Sequence, residues 1–144
     1  MAPYLILTGD ILRVKELIHL TEGEIVEYNR SVLRTRVKKA DSHKVLSEGA
    51  LRSVVAECKE KSGKAYDIAV CLIKNLIQKH PFASGNRRTA WVATESFLEQ
   101  NNLKLNVDNS EKQARVLQGI RENYYTDKEI KDWLITGKIR KFER

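Results

Sequence analysis

Eleven consecutive residues, His80-Pro81-Phe82-Ala83-Ser84-Gly85-Asn86-Arg87-Arg88-Thr89-Ala90, gather the side chains best suited to chemistry. Proline disfavours a helical conformation for the residue before it, so His80 stands at a helix end. A tight polar loop comes next, and Asn86 opens a new helix. Free backbone N–H groups at Gly85, Asn86 and Arg87 would point outward from its first turn, where the helix dipole adds partial positive charge. Arg87 and Arg88 reinforce that charge, and Gly85 permits a positive φ and the close approach of a ligand. The junction reads as an anion site with a base beside it. Histidine changes charge near neutral pH, so a neutral imidazole can take a proton from a hydroxyl in the transition state. A phosphate held by the amides and arginines would receive the attack, the protein supplying position and charge. Taken singly, the same residues have plainer roles: a capping histidine, a solvated first turn, a core phenylalanine.

The elements that must position this junction are mostly helical in pattern. Residues Tyr4 to Leu7 form a short apolar run compatible with strand or helix, and Asp10 to His19 carry a helical spacing through Ile11, Val14, Leu17 and Ile18. Thr21 and Glu24 fit a capping box, opening a helix with Ile25, Tyr28 and Val32 on one side and an end near Leu33. From Arg34 to Leu46 the pattern lapses, and Ala40-Asp41-Ser42 predicts a turn in a small hairpin or open loop. Ser47 and Glu48 start a helix carrying Leu51, Val54, Val55 and Cys58, closed by Ser62 and Gly63. Another runs from Lys64 to His80 with a broad apolar face. The helix from Gly85 to Gln100 is rich in small residues, Ala90, Ala93, Thr94 and Ser96, and is the candidate central helix, with Trp91 largely buried. Leu103 to Val107 alternates like a short strand. Two further helices are expected at Ser110 to Asn123 and Thr126 to Thr136, stopped by Gly137, with KIRKFER as a solvated tail.

Length and composition set the bounds. The chain has 144 residues, 42% of them apolar, which suits one domain over residues 1–144 with a single core. Seven glycines, two prolines and a charged fraction of 31% argue against disorder and against a loop-rich β-sandwich. The expected fold class is all-α, about six helices with a small hairpin or flap. A net charge of +7 favours phosphates, nucleic acids or acidic partners. Cys58 and Cys71 show neither a disulfide framework nor zinc-ligand spacing, and Cys71 lies in an apolar helical pattern as a core residue. No apolar run is long enough for a membrane span and the N-terminus lacks a basic n-region, so the expected location is cytoplasmic, away from membranes.

The junction resembles the signature of the Fic/Doc family, HxFx[D/E]GNxR, at His80, Phe82, Gly85, Asn86 and Arg88. Five specified positions coincide by chance on the order of once in ten thousand chains of this length, which outweighs the plainer readings of the single residues. LTEGEIVEYNRSVL, LSEGALRSVVAE and AVCLIKNLIQKH are similar to the family's helices ahead of the motif, so the resemblance spans residues 20–108. It implies an all-helical core whose motif loop binds the phosphates of ATP or another nucleoside triphosphate, accompanied by Mg²⁺. His80 is then the catalytic base toward a target-protein hydroxyl, and Phe82, Ser84, Gly85, Asn86, Arg87 and Arg88 form the nucleotide-binding set.

The branches of the family differ within the motif. Fic members, which typically transfer AMP, carry a second glycine after Gly-Asn and another arginine three positions after the motif arginine. Here those positions are Arg87 and Trp91, which makes the match Doc-like. The Doc branch implies a toxin of a toxin-antitoxin pair that phosphorylates a translation factor, so the expected partners are a hydroxyl-bearing target protein and an antitoxin. Ser84 departs from the pattern, standing where the family has an acidic residue that helps hold Mg²⁺, and a hydroxyl is a weaker ligand for a hard cation. That departure leaves two alternatives open, a catalytically weakened or inactive binding domain and a basic nucleic-acid binder. The latter rests on the net charge and on Arg30, Arg34, Arg36, Lys38 and Lys39, without aromatic interleaving or a zinc finger. In the family this stretch is the flap that positions a target segment by strand addition.

Overall fold

A computed structural model describes residues 16–34, 44–108 and 110–143. The described residues form six α-helices: α1 (Glu22–Arg34), α2 (Glu48–Glu60), α3 (Ala65–Lys79), α4 (Asn86–Gln100), α5 (Glu111–Arg121) and α6 (Asp127–Thr136). The fold is compact and all-α. The starts of α1 and α2 follow from the caps read in the sequence. The Thr21 N–H donates to Glu24 Oε1 and the Glu24 N–H to Thr21 Oγ1, closing the reciprocal box ahead of α1. Ser47 Oγ accepts from the Ala50 N–H at the start of α2, and Thr126 and Glu129 form a second box at α6.

Helix α3 is the hub, packing on α2, α4, α5 and α6, whereas α4 lies between α3 and α1. The apolar side chains of α3 explain this. Ile68, Leu72, Ile73, Leu76 and Ile77 are all buried, and each large apolar side chain withdrawn from water is worth roughly 1.5–3 kcal/mol. The central helix is therefore α3 rather than α4. The small residues of α4 have another part: buried Ala90, Ala93 and Thr94 set their helix close against its neighbours. Tyr28 OH and Ser96 Oγ, 2.6 Å apart, join α1 to α4.

Between helices the sequence reading needs correction. Leu103, Leu105 and Val107 are half-buried while Lys104, Asn106 and Asp108 are exposed, so the alternation is real, yet no strand forms there. Its polar groups serve helices instead: the Asn106 N–H donates to the Leu134 carbonyl and its Nδ2 to the Ile135 carbonyl at the end of α6. The C-terminal segment is not a solvated tail, since Phe142 is buried, and the Arg140 guanidinium stacks on Tyr124 and pairs with Glu129. Residues 16–20 are not α-helical. Asn101 holds them, its Oδ1 accepting from the Ile18 N–H and its Nδ2 donating to the Ile18 carbonyl. The rest of the predicted first helix and the Ala40-Asp41-Ser42 turn lie outside the described residues. The chain just ahead of α2 pairs with the motif loop, Val45 and Phe82 forming an isolated antiparallel bridge. None of the described helices is long and apolar enough to cross a membrane.

Candidate functional site

His80 caps α3 in the left-handed region, at φ 50° and ψ 57°, and turns the chain out of the helix. This conformation is unfavourable for a side chain with a Cβ, and the surroundings impose it. The Pro81 carbonyl accepts from the N–H groups of Leu46 and Ser47, and the Ala83 N–H donates to the Lys44 carbonyl. The segment entering α2 thus grips the loop from outside. The imidazole itself is exposed, with no hydrogen-bond partner among the described residues.

Two asparagines grip the loop from inside. Asn86 is buried, its Oδ1 accepting from the Phe82 N–H at 3.0 Å and its Nδ2 donating to the Phe82 carbonyl at 2.8 Å. Asn29, fully buried on α1, donates through Nδ2 to the Ser84 carbonyl at 2.9 Å and to Thr89 Oγ1 at 3.0 Å. Sequence reasoning does not single out Asn29. The available signal is its place between Ile25 and Val32 on the buried stripe of α1, where an amide needs a partner. Gly85 is required twice over. Its φ is +76°, and a Cβ there would stand 3.2 Å from Leu33 Cδ2 and 3.4 Å from Asn29 Nδ2.

The first turn of α4 begins at this glycine with no side chain capping it. Arg87 and Arg88 are exposed there and have no acid partner among the described residues. A cavity of about 650 Å³ opens over this turn, lined on the loop side by His80 and residues 84–88. Trp91, Val92 and Glu95 form the α4 wall, and Val107, Gln113, Leu117 and Arg121 stand opposite. The structure therefore brings together His80, Ser84, Gly85, Asn86, Arg87 and Arg88, as the spacing predicts. Phe82 is the exception. It is fully buried and lines none of the cavity, so its side chain anchors the loop rather than touching a ligand.

Trp91, expected to be largely buried, packs against the core at the cavity wall, its ring centroid 5.7 Å from that of the buried Trp133. Glu95 is a lining residue that sequence reasoning does not single out either. Burial, and then the charge of Glu99, raise its carboxyl above the usual carboxylate range. The loop offers a divalent cation only neutral oxygens, and among the described residues no cluster of three His, Cys, Asp or Glu side chains is present. These residues do not fit a protein-held Mg²⁺.

Chemically, the cavity joins an uncapped helix start, an exposed imidazole and a partly apolar far wall. Such a space suits a phosphorylated ligand with a planar apolar portion. A search of curated proteins returns no significant match to the chain. A family model described as Fic/DOC family matches residues 8–98, from ahead of α1 through nearly all of α4 and including the whole loop between His80 and Arg88. That match covers well over half of the sequence and contains every residue that grips the loop, and the chain belongs to the Fic/DOC family.

Proposed function

We propose that this chain is a Doc-like protein transferase that moves the γ-phosphate of a nucleoside triphosphate to a hydroxyl of a target protein. The single observation that carries the reading is the juxtaposition of an unpartnered imidazole with an uncapped helix start bearing two unpaired arginines, on the rim of one cavity. Membership of the Fic/DOC family supports a protein-modifying transferase at the coarser level.

In this reading the phosphates lie on the amides of α4's first turn, with Arg87 and Arg88 at their sides. The apolar wall of Trp91, Val107 and Leu117 receives the base. His80 takes the proton of the incoming hydroxyl, its oxygen forms a bond to the γ-phosphorus, and the bond from that phosphorus to the β-bridging oxygen breaks, releasing a nucleoside diphosphate. No step requires a carboxylate from the loop. Arg87 and Trp91 favour phosphate over AMP transfer, because a long charged side chain occupies space beside the backbone amides and an indole cannot clamp a phosphate as a guanidinium does. A translation factor as target and an antitoxin as partner remain part of the proposal by family likeness.

Ser84 favours a second reading, a domain of the same fold that binds nucleotide or protein with little or no turnover. One experiment separates the two. The chain is incubated with a cytoplasmic extract and either γ- or α-labelled ATP, as wild type and as Ser84→Asp. Phosphate transfer predicts γ-label on one protein and more of it with Ser84→Asp. Label only from the α-position assigns AMP transfer, and no label from either chain assigns the binding domain.

A further inference from the structure

Gln113, in the first turn of α5, is 8% exposed and lines the cavity that opens over α4. Its carboxamide makes no hydrogen bond among the described residues, and its Nε2 is sealed from solvent. A buried amide left unpaired costs stability, so folded proteins rarely keep one without a use. By contrast, the buried carboxamides of Asn86 and Asn101 each engage backbone groups through both ends. The sequence hides this difference, because a glutamine among the charged residues that open a helix reads as solvated.

Its place along the cavity says what it would meet. Gln78 Nε2 donates to the Ile120 carbonyl at 2.9 Å, tying the last turn of α5 to the last turn of α3, beside His80. Arg121 therefore stands at the loop end of the cavity, exposed and without an acid partner among the described residues. Gln113 lies about two turns back along α5, roughly 12 Å away at 1.5 Å per residue. Leu117 comes between them on the same side, since residues four apart share a helix face. Across the space, Trp91 stands one turn into α4 from the arginines. Charge at one end, apolar surface between and an unpaired carboxamide at the other end match the order of a nucleotide's own parts: phosphates, flat ring faces and the polar edge of the base.

We propose that Gln113 reads the base of the bound nucleotide, its carboxamide pairing with a purine edge on which a hydrogen-bond acceptor stands next to an N–H donor. The inference rests on the nucleotide reading of the cavity and adds to it a specificity residue on α5, beyond the residues matched by the family model. The last torsion of a glutamine is soft, so Nε2 can turn toward the cavity without moving the helix. It then donates to the acceptor of the edge, while Oε1 accepts from the neighbouring N–H. Adenine offers such an edge in its ring N1 beside the amino group, and guanine in O6 beside its N1–H.

The test titrates the full chain with ATP, GTP and inorganic tripolyphosphate, as wild type, as Gln113→Met and, should packing suffer, as Gln113→Leu. The substitution is expected to weaken a nucleotide by roughly fivefold or more while leaving tripolyphosphate within about twofold, since only the base loses its partner. Loss for ATP alone assigns the adenine edge, loss for GTP alone the guanine edge, and loss for both a carboxamide that turns to suit either. Melting of the nucleotide-free variant should hold or rise, because an apolar side chain replaces an unpaired amide. Unchanged affinity for both nucleotides, equal loss for nucleotide and tripolyphosphate, or a fall in melting by several degrees in both variants would each overturn the role of Gln113 alone. A wild-type chain that binds neither nucleotide nor tripolyphosphate would overturn it together with the nucleotide reading on which it rests.

Discussion

Asn86 illustrates how residue type and residue role part company at this site. Its motif position suggests a hand on the ligand, yet both ends of its carboxamide are engaged by the Phe82 backbone, which leaves its backbone N–H, in the uncapped first turn of α4, as the group open to a ligand. In the proposed function the phosphate cradle is therefore backbone, kept in shape by amide side chains behind it. Gly85 is the position where this arrangement is least tolerant. Gly85→Ala combines a positive φ with a Cβ pressed toward Leu33, so it is expected to lower stability by about 1–2 kcal/mol from the backbone alone, and to weaken ATP binding as the loop shifts. Thermal denaturation together with an ATP titration checks both, and a variant with unchanged melting and affinity would contradict the assigned role. The residues carrying this chemistry are legible from the sequence because the motif is contiguous. Asn29 is not, because its partners lie at Ser84 and Thr89, far along the chain, and only packing of α1 on α4 brings them near.

Helices are the legible elements, and for a physical reason: their caps are local. Thr21 with Glu24, Ser47 and Thr126 with Glu129 each act within three residues, so composition alone marks them. The segment at 103–107 defeats the same logic, since an alternating apolar pattern reports one buried side and says nothing of a strand partner. Helix α6 offers a pH test at this scale. The Arg140 guanidinium, together with the Thr126 N–H, holds the Glu129 carboxyl down at about 2. A carboxyl lowered on folding stabilises the fold above its unfolded value, about 4.3, and that contribution disappears as pH falls through the folded value. Glu129→Gln should therefore melt below the wild type at neutral pH, and the gap should close between about pH 5 and pH 2. A gap that stayed constant to low pH would show that the carboxylate charge is not what matters. The ion pair is partly exposed, so the effect should shrink in salt.

At the scale of the whole molecule, the cavity is built from two parts of the chain. The family match ends at residue 98, while the wall facing the loop comes from Val107 and from Gln113, Leu117 and Arg121 on α5. The C-terminal segment holds that half in place. Phe142 packs edge-on against Tyr124, and a Cβ on Gly119 would come within 3.2 Å of Phe142 Cγ, so α5 and the segment fit without spare room. A basic, charged run gives no warning of this, because one buried aromatic among exposed cations leaves no periodicity to read. Phe142→Ala is expected to cost about 3 kcal/mol, measured by denaturant unfolding. A cost below about 0.5 kcal/mol would mean that the segment is not part of the core. The half matched by the family model and the half beyond it thus meet around one space, the first lining it with the motif loop and the second forming the far wall. The transferase reading stands or falls on His80 acting as a base and taking no part in holding nucleotide. Transfer of γ-phosphate to the labelled target by His80→Ala, at ATP concentrations that saturate both proteins, decides this. The expected outcome is ATP affinity within about twofold of wild type and transfer lower by roughly a hundredfold or more, the usual contribution of a general base. Transfer at the wild-type rate, or loss of ATP binding in step with loss of transfer, would rule that role out.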